Sequence, residues 1–126
     1  MKLKNNLYTV KSRHLEGLTG FYELELNPEC FIYQAHFPGE PITPGVCIMQ
    51  IGKEVLEDAL GKNLQVTAVK NIKFLSVISP KENTSVIYQF KKVEWSENGL
   101  DVKAQLVVVA GEEAKAKISF TLKSLT

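Results

Sequence analysis

Residues 36–60 read HFPGEPITPGVCIMQIGKEVLEDAL, and this stretch carries most of the information about the fold. A loop with three prolines and two glycines runs directly into an apolar segment. Proline fixes φ and glycine permits close backbone approach, so the loop should hold His36 in one place. Pro44 suits the first position of a helix and Thr43 suits its cap, which predicts a helix over Thr43–Leu60.

The predicted helix changes character along its length. Residues 46–49 are apolar on every side, which predicts burial, whereas the second half has one apolar stripe and an opposite charged face. Gly61 is a suitable C-terminal residue for it. A helix that is buried at one end and half-exposed at the other is suited to packing against the concave face of a curved sheet.

Around the helix, the sequence has the features of antiparallel strands. Residues 8–15 and 18–26 are strand-like, and residues 31–33 form a short aromatic and β-branched run that is typical of a strand. Asn98-Gly99 is a strong hairpin signal and Gly111-Glu112 allows a second hairpin. Strands of this kind need a cover for their apolar face, and the helix is the only candidate. The pattern predicts an α+β protein with a single antiparallel sheet.

Alternation assigns faces to the later strands. Leu64, Val66 and Ala68 are expected on one face of the first of them. In the last one, Lys115 and Lys117 are expected on the solvent side, opposite the alanines and large apolar residues.

Composition narrows the classes of function. The 126 residues suffice for one domain, residues 1–126, with 44% hydrophobic and 23% charged residues. The net charge is +1 and the basic residues are scattered along the sequence, which predicts no nucleic-acid and no membrane partner. No signal peptide or spanning segment is recognisable, so a cytoplasmic location is expected. Cys30 and Cys47 lack metal-ligand spacing and are expected to be reduced thiols, and no metal and no cofactor are predicted.

The chemistry of the loop points to proton abstraction. The first N–H groups of a helix have no intrahelical acceptor, so those of Gly45 and Val46 could meet a developing negative oxygen. A fixed imidazole beside such donors suits removal of a proton next to a carbonyl. Phe31, Tyr33 and Phe37 are expected to desolvate the ring and favour its neutral form.

The segments His36-Phe37-Pro38-Gly39 and Pro44-Gly45-Val46 resemble the HFPG-x-P-x-x-PGV signature of the 3-hydroxyacyl-[acyl-carrier-protein] dehydratases, a hot-dog-fold family. The likeness extends more weakly over most of the chain. It implies about six antiparallel strands wrapped around one central helix. It further implies acyl thioesters on the phosphopantetheine of acyl carrier protein or coenzyme A, and homodimers, or hexamers as trimers of dimers, with active sites between subunits.

By this resemblance, His36 matches the catalytic histidine and Gly45 the residue whose amide meets the thioester carbonyl. The remaining loop residues of the signature are expected to contact substrate: Phe37, Pro38, Gly39, Pro44 and Val46.

Gln50 departs from the family pattern, which has a glutamate or aspartate fourteen residues after the histidine. Gln50 is either a buried amide satisfied by neighbouring backbone or a polar group that faces the thioester pocket and acts in catalysis. Glu54 lies one turn further on the same face. It either extends into the pocket and replaces the missing acid or is a surface carboxylate near Lys53.

Three functions follow from these residues. The first is elimination of water from a 3-hydroxyacyl thioester to give a trans-2-enoyl thioester, in fatty-acid or polyene and polyketide synthesis. The second is a non-catalytic acyl-thioester-binding or accessory subunit, active only in a mixed dimer with a glutamate-bearing paralogue. The third is a hot-dog thioesterase.

Overall fold

The computed structural model describes residues 2–126. Its helices and strands follow the chain in the order β1 (Tyr8–Glu16), β2 (Thr19–Leu26), α1 (Ile32–Ala35), α2 (Gly45–Leu60), β3 (Leu64–Phe74), β4 (Ser85–Trp95), β5 (Asp101–Ala110) and β6 (Glu113–Ser124). The strands form one sheet in the order β1-β2-β4-β5-β6-β3, and every neighbouring pair is antiparallel. The predicted α+β class and six-stranded sheet are confirmed.

The core lies between this sheet and α2. The buried face of α2 includes Ile48, Ile51, Val55 and Leu56, all at most 3% exposed. Alternate residues of β4, β5 and β6 meet that face, as the period of two predicts. Burial of this continuous apolar surface is what holds the helix against the sheet.

The start of α2 differs from the prediction. The helix begins at Gly45, and Pro44 is the N-cap residue, with extended backbone and no capping hydrogen bond from its side chain. The Thr43 hydroxyl is not a cap either, because it lies 2.8 Å from the Tyr33 hydroxyl. At the other end, Gly61 has φ of 64° and closes the helix as predicted.

Residues 31–33 do not form a strand. They enter the four-residue helix α1, in which the Tyr33 ring is buried and the Phe31 ring is 77% exposed. The Tyr33 and Gln34 amides donate to the carbonyls of Cys30 and Phe31, so the run forms helical turns. The β-branched and aromatic composition was misleading because a run this short carries no helix or strand period.

Ala68 and Lys115 do not lie on the sheet faces predicted for them, and irregular strand pairing explains the position of Ala68. The pairing of β3 with β6 shifts between Val66 and Ala68, after which Ala68 is exposed. Lys115 is 6% exposed, although alternation placed it on the solvent side. Its carbonyl accepts from the Leu75 and Ser76 amides, so the chain that follows β3 lies across it.

The segment before β1 packs against α2. Leu3 and Leu7 are almost fully buried, and Lys4 forms an isolated bridge to Tyr8. Within residues 2–126, none of the helices has both the length and the apolar character needed to cross a bilayer.

Candidate functional site

Backbone hydrogen bonds hold both ends of the loop between α1 and α2. The His36 carbonyl accepts from the Ile42 amide at 2.7 Å, and the backbones of Phe37 and Glu40 bond to each other across a tight turn. Gly39 has φ of 85° in that turn, a conformation that favours glycine. Near α2, the Thr43 amide donates to the Ile78 carbonyl at 2.8 Å. These bonds place the histidine at the N-terminus of α2, as the sequence predicts.

A pocket of about 410 Å³ opens between this loop, the first turns of α2 and residues 74–78. His36 and Phe37 line one side, and Gly45 and Ile48 line the helix side. Its walls are largely apolar, so it suits an acyl chain next to a reactive carbonyl.

The His36 ring is exposed within the protomer. It meets the neighbouring Phe37 ring edge-on at 5.8 Å between centroids, and Phe37 is itself 55% exposed. Phe31 faces solvent, and Tyr33 is turned inward toward Thr43. The expectation that these three aromatic rings desolvate the imidazole is therefore wrong for the single chain.

The N-terminus of α2 presents donors to the same pocket. The Cys47 and Ile48 amides both donate to the Pro44 carbonyl, which leaves the Gly45 and Val46 amides as the first, orphan donors of the helix. The helix dipole adds positive potential there. A carbonyl oxygen that enters the pocket beside His36 would meet this positive end.

Gly45 is closely covered by the Phe74 ring at the end of β3. A Cβ atom at Gly45 would lie 2.7 Å from Cζ of Phe74, so only glycine fits without displacing the ring. Phe74 was not among the residues predicted from the sequence. No local pattern reveals it, because its position depends on the pairing of β3 with β6.

The other predicted contact residues divide into two groups. Phe37 and Pro44 line the pocket, whereas Pro38, Gly39 and Val46 lie outside its lining. Val46 is 60% exposed on the first turn of α2, and Pro38 and Gly39 form the exposed turn of the loop.

Gln50 is also outside the lining of the His36 pocket. Its side chain is half-buried on α2, where Nε2 donates to Oε2 of Glu54 at 2.8 Å. One protomer therefore does not bring the histidine and the glutamine into the same pocket.

Glu54 is 7% exposed, so it is not the surface carboxylate that one interpretation expected. Besides Gln50, its oxygens accept from the Leu3 and Lys4 amides at 2.8 Å and from the Tyr8 hydroxyl at 2.9 Å. Burial and the adjacent carboxylate raise the pKa of Tyr8 well above its usual range, which keeps the phenol protonated as a donor. Glu54 thus anchors the segment before β1 and is already fully engaged in hydrogen bonds.

Asp58, one turn beyond Glu54, has a similar role. It accepts from the Tyr22 hydroxyl and forms ion pairs with Lys4 at 3.6 Å and Arg13 at 3.2 Å. Burial and the bond to Asp58 raise the pKa of Tyr22. The carboxylates in the middle of α2 therefore fasten β1, β2 and the preceding segment to the helix.

Cys30 and Cys47 are both buried free thiols, and burial raises the pKa of Cys47. Within residues 2–126, no cluster of three or more His, Cys, Asp or Glu side chains could hold a metal ion.

A family model and curated relatives match most of the chain. The family model described as ApeI-like, ApeI dehydratase, matches residues 14–111. The 3-hydroxyacyl-[acyl-carrier-protein] dehydratase FabZ of Fusobacterium nucleatum subsp. nucleatum is 28% identical over 113 residues, which cover 86% of this chain and 77% of that protein.

Solved structures agree with the fold. A chain of the dehydratase heterocomplex ApeI:P from Xenorhabdus doucetiae has a TM-score of 0.69 at 16% identity, covering 90% of this chain and 96% of its own. An inactive mutant of the CurK dehydratase has a TM-score of 0.51 at 12% identity, covering 94% of this chain and 43% of that one. The hot-dog fold and the resemblance to FabZ-type dehydratases are confirmed, and the chain belongs to the ApeI-like dehydratase family.

Proposed function

We propose that this protein removes water from a 3-hydroxyacyl thioester and releases the trans-2-enoyl thioester. The observation that carries the proposal is the placement of His36 beside the uncapped N-terminus of α2 on one apolar pocket. General-base removal of a proton next to a carbonyl needs these two elements together.

The reaction begins with the thioester carbonyl at the Gly45 amide. His36 takes the proton from C2, and the helix N-terminus stabilises the negative charge that develops on the carbonyl oxygen. The C3–O bond then breaks, and the leaving hydroxyl takes up a proton to become water. No resident cofactor takes part in these steps.

His36 returns the proton it removed. Glu54 is a poor candidate for this step, because it is buried and accepts four hydrogen bonds from groups that hold the fold together. The Gln50 amide can orient a hydroxyl or a water but cannot donate a proton as a carboxylic acid does. Because His36 acts as both base and acid, we expect turnover to be slower by about 10²–10⁴ than in an enzyme with a separate acid.

A second copy of the chain completes the site. His36 and Gln50 do not share a pocket within one protomer, and large apolar residues of the loop, the first turn of α2, β3 and the segment after β3 are exposed: Phe37, Val46, Val69, Phe74, Leu75 and Val77. β3 is an edge strand with a free side, which suits pairing with another subunit. In the proposed homodimer, the Gln50 of one subunit approaches the His36 pocket of the other.

One observation favours an alternative, a non-catalytic subunit of a mixed dimer. The position of the usual acid holds Gln50, and the nearest carboxylate on the same face, Glu54, is engaged in structure. A solved relative is, in the words of its description, a dehydratase heterocomplex. In this alternative the active pocket contains an acid from a different chain.

The test is the absorbance of enoyl thioester formed from a 3-hydroxyacyl carrier-protein substrate by the wild type and His36→Ala. The substitution should lower turnover by about 10²–10⁴. His14→Ala is the matched control, because His14 is the only other histidine and bonds to Ser12 on exposed β1. Free thiol without enoyl product would instead show a thioesterase. Substrate binding without either product, with turnover only after mixing with a glutamate-bearing paralogue, would show the accessory subunit.

A further inference from the structure

Two buried hydroxyl groups join the ends of the loop that holds His36. The Tyr33 hydroxyl lies 2.8 Å from Oγ1 of Thr43, and the two residues are 2% and 4% exposed. Two hydroxyls carry two protons, but the hydrogen bond between them uses only one. Among residues 2–126, neither hydroxyl has another hydrogen-bond partner. One proton of the pair is therefore left for an acceptor from outside the chain, because buried donors are seldom unpaired.

The position of the pair decides which hydroxyl offers that proton. Thr43 lines the His36 pocket, whereas Tyr33 lies outside its lining. The proton of Tyr33 is therefore the one shared between the two hydroxyls, and the proton of Thr43 is available to the pocket. The other hydroxyl of the lining, that of Ser76, lies beside the Glu113 carboxylate and lowers its pKa. Ser76 thus already has an acceptor within the protein, and Thr43 is the hydroxyl donor open to a bound molecule.

The backbone holds Thr43 beside the reacting groups. Its amide donates to the Ile78 carbonyl at 2.8 Å, and the Ile42 amide before it donates to the His36 carbonyl at 2.7 Å. Thr43 precedes Gly45 by two residues, so their Cα atoms are at most about 7 Å apart. A 3-hydroxyacyl thioester has its carbonyl oxygen on C1 and its hydroxyl on C3. With the carbonyl at the Gly45 amide, the C3 oxygen can reach the Thr43 hydroxyl.

We infer that the Thr43 hydroxyl binds the C3 oxygen of the substrate and assists its departure, and this inference rests on the proposed function. Thr43 donates a hydrogen bond to that oxygen, and the bond strengthens as negative charge develops there while the C3–O bond breaks. The electron pair of the C2–H bond becomes the second bond between C2 and C3. His36 passes the removed proton to the departing oxygen, water leaves, and Thr43 keeps its own proton. Tyr33 acts only through Thr43, by fixing the direction of its hydroxyl, and is a positioning residue.

The test removes the Thr43 hydroxyl while keeping the shape of the side chain. Thr43→Val leaves the Tyr33 phenol buried without a partner, so Tyr33→Phe/Thr43→Val is measured beside it, since the loss of both partners together costs little stability. Each variant is assayed with 3-hydroxybutyryl and 3-chlorobutyryl thioesters on the same carrier protein, which both give the same enoyl thioester. Chloride departs without a proton, so its elimination needs His36 but no hydroxyl donor.

Both variants should lower kcat for the 3-hydroxybutyryl substrate about ten- to a hundredfold with little change in KM, and keep chloride elimination within about twofold of wild type. Thr43→Ser, which retains a hydroxyl, should recover most of the lost kcat. Thr19→Val is the matched control, because the Thr19 hydroxyl donates to the Glu16 carbonyl at the turn between β1 and β2. It should leave both reactions unchanged.

An equal loss with both substrates would overturn the inference, because Thr43 would then only position His36. Unchanged kcat in both variants would also overturn it, as would a wild type that eliminates chloride but not water. If the wild type eliminates neither, the proposed function fails, and the contact is judged by binding of 3-hydroxybutyryl and butyryl carrier protein. A wild-type preference for the hydroxylated form that the double variant loses supports the inference. A preference that the double variant keeps, equal affinities in the wild type, or no binding overturns it.

Discussion

The two parts of α2 use polar groups in opposite ways. At its N-terminus, the Gly45 amide and the exposed His36 border a pocket. Just past the first turn, Gln50 begins a stretch in which Glu54 and Asp58 are engaged by residues of β1, β2 and the preceding segment. Carboxylates on a central helix can thus be structural, while the proposed chemistry rests on backbone donors and one imidazole.

Glu54→Ala should produce the largest change, because it removes the acceptor of several buried donors. The Leu3 amide and the Tyr8 hydroxyl would lose their partner in a buried place. The free energy of unfolding should fall by about 3 kcal/mol or more. Denaturant unfolding measures it, with Glu54→Gln as the milder control that keeps one acceptor oxygen. A loss below about 0.5 kcal/mol would show that the middle of α2 is not the anchor described above.

Gly45→Ala should act at the other end of α2. Its new Cβ would displace Phe74 from the pocket rim, and turnover should fall about ten- to a hundredfold with little loss of stability. Replacing Phe74 by leucine in the same chain should recover most of the activity. Gly52→Ala is the matched control, since its Cβ would meet Leu106 in the core at 3.1 Å and should cost stability only. Steady-state kinetics beside thermal melts separate the two outcomes.

Gln50→Glu should make the stability of the protein depend on pH through the middle of α2. It places a second carboxylate within hydrogen-bond distance of Glu54, where like charges favour a shared proton. At low pH the pair holds that proton, and as the pH rises both groups become charged and repel. The variant should therefore lose about 1–3 kcal/mol of stability relative to wild type between pH 5 and pH 8. In Gln50→Glu/Glu54→Gln, which has one carboxylate, this pH dependence should vanish, and its persistence would contradict the explanation.

Tyr33→Phe should have the smallest effect. It removes the bond between the hydroxyls of Tyr33 and Thr43, 2.8 Å apart, which links α1 to the residue before the N-cap of α2. The expected loss is about 1 kcal/mol. Burial raises the pKa of Tyr33 to about 12, so this residue contributes stability below pH 10 that is lost as the pH approaches 12. Spectroscopic titration of the tyrosines in wild type and variant checks both statements.

The sequence predicted the fold well where the pattern is local. The period of two and the hairpin signals identify β4, β5 and β6, and Gly61 marks the end of α2. The loop signature correctly brings His36 next to Gly45, because only a few residues of constrained backbone separate them.

The remaining features depend on distant contacts. Glu54 meets Leu3 and Lys4 from about fifty residues away, so no spacing in the helix distinguishes an anchor from a surface acid. Lys115 is buried because the chain after β3 crosses it. Phe74 covers Gly45 because β3 pairs with β6 rather than with β4, the strand that follows it in the sequence.

The pairing of β3 also affects how the chain folds during synthesis. β3 has a single strand neighbour, β6, which the ribosome makes only after β4 and β5 are complete. Until then β3 has no sheet to join, and its apolar residues and unpaired backbone are open to other chains. The sheet is thus completed by its last strand, and any delay in making β6 leaves the nascent chain with an unprotected strand for a chaperone to cover.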